Sequence, residues 1–151
     1  MGERFFEDLE VGQTFTSGEV EVTAERIKSF AAEFDPQPFH LDEEAAKKTF
    51  FAGLAASGWH TAAMTMRLLV DSDLRIAGGI VGAGGADLRW PRAVRAGDIL
   101  HLKVEVIDRR TSQSRPALGI VKVRLTTFNQ RGEVVQVSTP ALMVPRRTTN
   151  V

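Results

Sequence analysis

Residues 57–70 read SGWHTAAMTMRLLV, and their periodicity decides the fold. Trp59, Ala62, Ala63, Met64, Met66, Leu68 and Leu69 cover nearly the whole circumference of a helix that starts at Ser57-Gly58 and runs to Val70. A helix apolar on most sides needs cover on most sides, so the rest of the chain is expected to wrap around it. The stretch is too short to span a bilayer and carries Arg67 in its interior.

Downstream, the period changes from helical to alternating. Leu100, Leu102, Val104 and Val106 alternate with His101, Lys103 and Glu105, as in a half-buried strand. Val121, Val123 and Leu125 repeat the pattern. Asn129-Gln130-Arg131-Gly132 reads as a hairpin turn into one strand from Glu133 to Val144. Phe15–Val22 and Ile80–Trp90 supply two more strands. Helices followed by consecutive strands predict an α+β fold with a mainly antiparallel sheet.

Upstream, Thr23 is placed to cap a helix whose apolar positions are Ile27, Phe30, Ala31 and Phe34. That helix should stop at Phe34, because Pro36 drives Asp35 out of the α region. A short helix follows from Asp42, with Glu43 and Glu44 in its first turn and Lys47 and Lys48 at its end, charges that match its dipole.

The 151 residues are expected to form one domain, 1–151, with no linker or repeat. Nineteen basic residues balance nineteen acidic ones, so no global field draws in nucleic acid or an anionic membrane. Cysteine is absent, which removes disulfides, thiolate catalysis and thiolate-bound metal. The acidic N-terminal segment lacks the apolar run of a signal peptide. These features point to a cytoplasmic, soluble protein.

Residues 78–87, GGIVGAGGAD, invite a nucleotide-loop reading, but no GK[ST] follows and Leu88-Arg89-Trp90-Pro91 cannot open the required helix. Glycines in a strand that admits a close neighbour fit better. His40 and Asp42 lack a third metal ligand at a telling spacing, so no metal site is expected. His101 falls on a polar strand face. His60 reads as a core histidine in preference to a substrate-channel residue.

FDPQPFHLDEE, residues 34–44, stands apart. It places Asp35 and His40 five positions apart, with Pro36 and Pro38 stiffening the link. Two readings compete: a rigid Asp-Pro turn with a histidine nearby, or an acid and an imidazole held together over a small molecule such as water.

The segment from Phe34 to Thr61 resembles the signature of the MaoC-like dehydratases and (R)-specific enoyl-CoA hydratases, D-x-N-P-x-H-x-D-x-x-x-A followed by F-x-G-x-x-x-H-G. Here it reads Asp35-Pro36-Gln37-Pro38-Phe39-His40-Leu41-Asp42, then Ala46, Phe51, Gly53 and Ser57-Gly58. Phe6-Glu7-Asp8-Leu9, Leu88-Arg89-Trp90-Pro91, Gly97-Asp98 and Ser112–Gly119 extend the likeness over almost the whole chain. Gln37 stands where asparagine is usual, and Ser57 where that pattern has histidine. The resemblance implies the hot-dog fold, a central helix wrapped by an antiparallel sheet, usually as a homodimer. It also implies reversible addition of water to a trans-2-enoyl thioester of coenzyme A or acyl carrier protein, the reaction of an enoyl-CoA hydratase or 3-hydroxyacyl-CoA dehydratase. Asp35 and His40 would hold the water. Gly58, at the start of the central helix, would offer its N–H to the thioester oxygen. Ser57 and Trp59 are expected at the substrate, and Arg109, Arg110 and Arg115 near the coenzyme A phosphates. No metal or organic cofactor is needed beyond the thioester. A hot-dog thioesterase and a non-catalytic acyl-thioester-binding subunit are the alternatives.

Overall fold

In the computed structural model, residues 2–85 and 87–147 are described. Alternation along the second half of the chain yields the sheet. Strands β1 (Thr14–Glu21), β2 (Val81–Gly84), β3 (Ile99–Thr111), β4 (Leu118–Phe128), β5 (Val134–Ser138) and β6 (Ala141–Pro145) pair antiparallel in the order β1-β3-β4-β6-β2, with β5 also on β4. Leu100, Leu102, Val104 and Val106 are all buried, as are Val121, Val123 and Leu125 opposite them.

Helices α1 (Ala24–Phe34), α2 (Pro38–Leu41), α3 (Glu43–Ala46) and α4 (Gly58–Val70) lie between β1 and β2 in sequence. Thr23 caps α1, its hydroxyl accepting from Arg26 N at 3.2 Å. Asp42 caps α3 through Glu44 N and Ala45 N. Helix α4 packs on β1, β3 and β5 through Thr61, Met64, Thr65, Leu68 and Leu69, and the Thr65 hydroxyl meets that of Thr127 at 2.7 Å.

Several sequence expectations need correction. Helix α4 is buried on one side only: Trp59, Met66 and Val70 are 60%, 49% and 55% exposed. A single sheet covers half of a helix, and the described residues leave these outer apolar positions largely open. Phe34 ends α1 in the open for the same reason, beyond the reach of Ile27 and Ala31. The predicted strand 133–144 is two strands, broken at Thr139-Pro140. Proline has no N–H to donate, and the chain there only accepts, Val123 N donating to Pro140 O at 3.1 Å. Of the strand expected over Ile80–Trp90, the described residues form β2 and an isolated bridge from Arg89 to Val137, and Ala86 lies outside the described residues. The glycines of 78–85 make no close approach. A side chain would meet nothing at any of them, and four of the five, Gly78, Gly79, Gly84 and Gly85, hold positive φ. Their role is the left-handed backbone that L residues avoid.

Gly119, by contrast, is required by packing. A Cβ there would lie 2.0 Å from the ring of Phe6, which the Arg109 guanidinium covers from 4.1 Å above its centroid. Gly119→Ala should therefore displace the whole ring and destabilise the protein by about 1–3 kcal/mol. A denaturant melt with an unchanged midpoint would show that Phe6 moves freely instead.

Candidate active site

The site forms where α1 ends and α4 begins. Asp35 closes α1, its N–H donating to Ala31 O at 2.8 Å. Pro36 and Pro38 then turn the chain directly into α2, with Pro38 at a first-turn position where a missing N–H costs nothing. His40 thus lies on a helical turn and is buried.

Each ring nitrogen of His40 has a defined neighbour. Nδ1 lies 2.6 Å from the carbonyl oxygen of Ala55. A carbonyl only accepts, so Nδ1 carries the proton. Nε2 then faces Asp35 Oδ2 at 3.4 Å. In the neutral ring this sets a lone pair against a carboxylate oxygen. Two acceptors so placed are satisfied by a proton on the ring or by one water that donates to both.

Asp35 is held by side chains on both of its oxygens. Ser57 Oγ donates to Oδ2 at 2.7 Å, and the Gln37 amide donates to Oδ1. Burial pushes the Asp35 carboxyl up, but the Gln37 and Ser57 donors, helped by the adjacent His40 ring, outweigh it and hold the carboxyl below its ordinary value. The group is an anion near neutrality. Ser57 Oγ also accepts from Trp59 N at 3.2 Å, so one hydroxyl caps α4 and fixes the acid.

Gly58 is the first residue of α4, where backbone N–H groups lack intrahelical acceptors. A Cβ at this position would sit 2.7 Å from three atoms of the Trp90 ring. The Trp90 ring fills the space that a side chain at this position would take. Trp59 packs edge-on against the same Trp90 ring at 5.3 Å. A cavity of about 240 Å³ adjoins the helix start, lined by Phe50, Phe51, Gly58, Thr61, Trp90 and Arg92 among others.

The structure does not bring Arg109, Arg110 or Arg115 to this cavity. Arg109 lies over Phe6, Arg110 borders a shallow hollow with Gly84, Gly85 and Lys122, and Arg115 sits on the exposed turn after β3. The cavity's cation is Arg92, which sequence reading passed over; it pairs with Glu133 at 3.1 Å. His60 is buried and stacked on Phe30 at 4.7 Å, and its Nδ1 has no hydrogen-bond partner among the described residues. Burial, with the charge of Arg26, pulls its pKa down and keeps it neutral. His101 stacks on Phe128 at 5.2 Å. Among the described residues no cluster of three or more His, Asp or Glu could hold a metal ion, and no helix is long and apolar enough to cross a membrane.

A central helix against an antiparallel sheet defines a hot-dog fold, and an anionic acid and an Nδ1-protonated imidazole meet where that helix begins, near a cavity lined mainly by apolar side chains. Comparison with known proteins agrees. The MaoC-like domain pattern matches residues 8–129, and the chain belongs to that family. It is 34% identical over 116 residues to a 3-hydroxybutyryl-CoA dehydratase of Methylorubrum extorquens, covering 76% of this chain and 71% of the relative. A MaoC-like dehydratase structure from Rhodospirillum rubrum superposes with a TM-score of 0.93 at 57% identity, over 97% of this chain and 99% of that one. The (R)-hydratase PhaJ1 of Pseudomonas aeruginosa matches with a TM-score of 0.74 at 25% identity, over 97% and 92%.

Proposed function

We propose that the protein is an (R)-specific enoyl-CoA hydratase, equally a 3-hydroxyacyl-CoA dehydratase, acting through Asp35 and His40. One observation carries the reading: two hydrogen-bond acceptors, Asp35 Oδ2 and His40 Nε2, converge at 3.4 Å beside a helix N-terminus. A water donating to both presents its remaining lone pairs outward, toward C3 of a bound enoyl thioester. As its oxygen bonds C3, the C2=C3 π pair moves onto the thioester as an enolate. One water proton passes to the pair, and the pair returns a proton to C2. At the start of α4 the N–H groups of Trp59, His60 and Thr61 are taken up by Ser57, which leaves that of Gly58 for the charge that grows on the thioester oxygen. A donor of this kind contributes about 3–4 kcal/mol in the transition state.

The related dehydratase of Methylorubrum extorquens is named for a short coenzyme A thioester, and a cavity of about 240 Å³ has room for a short acyl chain. Purified protein incubated with a panel of trans-2-enoyl thioesters should lose the conjugated double-bond absorbance without releasing free thiol. Thiol release with the double bond intact would favour a thioesterase.

Ser57→Ala tests the electrostatics. A carboxyl held low by its donors is ionised, and its contribution is lost only as pH falls through the lowered pKa. Removing the Ser57 donor raises that pKa, so the acid limb of the kcat profile should move to higher pH. The variant also forfeits the α4 cap, about 0.5–2 kcal/mol of stability. An unmoved acid limb would separate Ser57 from the acid's titration.

The uncovered stripe of α4, Trp59, Met66 and Val70, supports a homodimer with the sites near its interface. Light scattering should give twice the chain mass, and Met66→Glu should shift the protein toward monomer. A monomeric, active wild type would contradict this.

A further inference from the structure

We infer that Arg95 is a positioning residue for His40, acting through the main chain of residues 51–55. This rests on the reading of Asp35 and His40 as the working pair. The Arg95 guanidinium donates to three carbonyls within four consecutive residues: Phe51 O at 2.6 Å, Gly53 O at 2.9 Å and Leu54 O at 3.1 Å. Its own backbone is anchored, Arg95 N donating to the buried Asp98 at 2.8 Å. Ala52, inside the clamped turn, holds a left-handed φ of 54°, which a residue other than glycine keeps only when its surroundings impose it.

The next residue is the one that orients the imidazole. Ala55 N donates to Phe39 O at 3.0 Å, Ala55 O accepts from His40 Nδ1 at 2.6 Å, and Ala56 N donates to Val94 O at 2.9 Å. The Ala55 peptide is thus strung between Arg95 and Val94 on one side and Phe39 and His40 on the other. Phe51, at the head of the turn, packs its ring on Phe39 at 5.0 Å and near His40 at 5.9 Å. Without the guanidinium the three carbonyls turn toward water and the Ala55 oxygen loses its fixed position. The ring is then free to place its proton on Nε2, where it cannot act as a base toward a water shared with Asp35. The planar fork suits this work, because Nη1 serves two carbonyls and Nη2 a third, a geometry that a lysine ammonium does not reproduce.

The test uses the full chain labelled with ¹⁵N-histidine, the His40 signals being assigned by their loss in His40→Gln. In the wild type, Nδ1 should show the shift of a protonated ring nitrogen and Nε2 that of a bare one. In Arg95→Ala the two should move toward a mixture of tautomers, and millimolar guanidinium should restore them. Turnover of an enoyl thioester should fall about 10²-fold with little change in KM, the scale of a small misplacement in a reacting group. Arg95→Lys should show the same spectral change in part, and it serves where the alanine variant does not fold. Folded Arg95 variants with unchanged His40 shifts would overturn the inference. A changed spectrum in a protein whose wild type hydrates no thioester would leave Arg95 in its role and overturn the hydratase reading instead.

Discussion

Asp35→Asn is expected to give a folded protein whose hydration of an enoyl thioester is slower by at least the ~10²–10⁴-fold that a positioned acid or base supplies. The substitution is nearly isosteric. Ser57 can turn its hydroxyl to accept from the new amide, so the hydrogen bonds around residue 35 are largely replaced. What disappears is the anion: an amide nitrogen or oxygen at 3.4 Å from His40 Nε2 takes up no proton from water. Thermal melting establishes folding, and single-turnover hydration establishes activity. Turnover near the wild-type rate in a well-folded Asp35→Asn protein would reduce the pair to a rigid turn.

His40→Gln should lose activity on the same ~10²–10⁴-fold scale and, unlike Asp35→Asn, should also lose stability. His40 is only 4% exposed, and its Nδ1–H is bonded to the Ala55 carbonyl. Leaving that buried acceptor unmet costs about 1–3 kcal/mol. The double variant should be little slower than the worse single one, because both groups act on the same water and such effects do not add. Losses that multiplied would mean that the two residues act in separate steps.

The parts of the fold that were legible are those encoded over a few residues. Alternation from Leu100 to Val106 marks its strand because period two is local, and Thr23 and Asp42 mark their helices because a cap acts within three residues. The break at Thr139-Pro140 was readable too, since a proline cannot donate within a ladder, but the apolar run around it spoke louder. One-sided burial of α4 was not readable. Periodicity shows which faces are apolar, and whether a second cover comes from the same chain is a property of topology.

The site divides along the same line. Asp35, His40 and Gln37 fall within six residues, and their juxtaposition was visible in the spacing. The rest of the machinery is assembled over long separations. Ser57 reaches Asp35 across 22 positions, the Ala55 carbonyl reaches His40 across 15, and Arg95 reaches the 51–54 turn across 41 to 44. Ala55 contributes a backbone atom, for which no side-chain pattern exists. Arg92 and Arg95 lie in no motif that sets them apart, whereas the arginines of 109–115 drew attention through the serines beside them.

The central claim is that a water shared by Asp35 and His40 adds to C3 of an enoyl thioester. Single-turnover reaction in H₂¹⁸O, with mass analysis of the product, tests it most directly. The label should appear in the 3-hydroxyl group of an intact hydroxyacyl thioester, and Asp35→Asn should slow its appearance as it slows turnover. Label recovered in a free carboxylate, with the double bond retained, would place the attack at the thioester carbonyl and contradict the account.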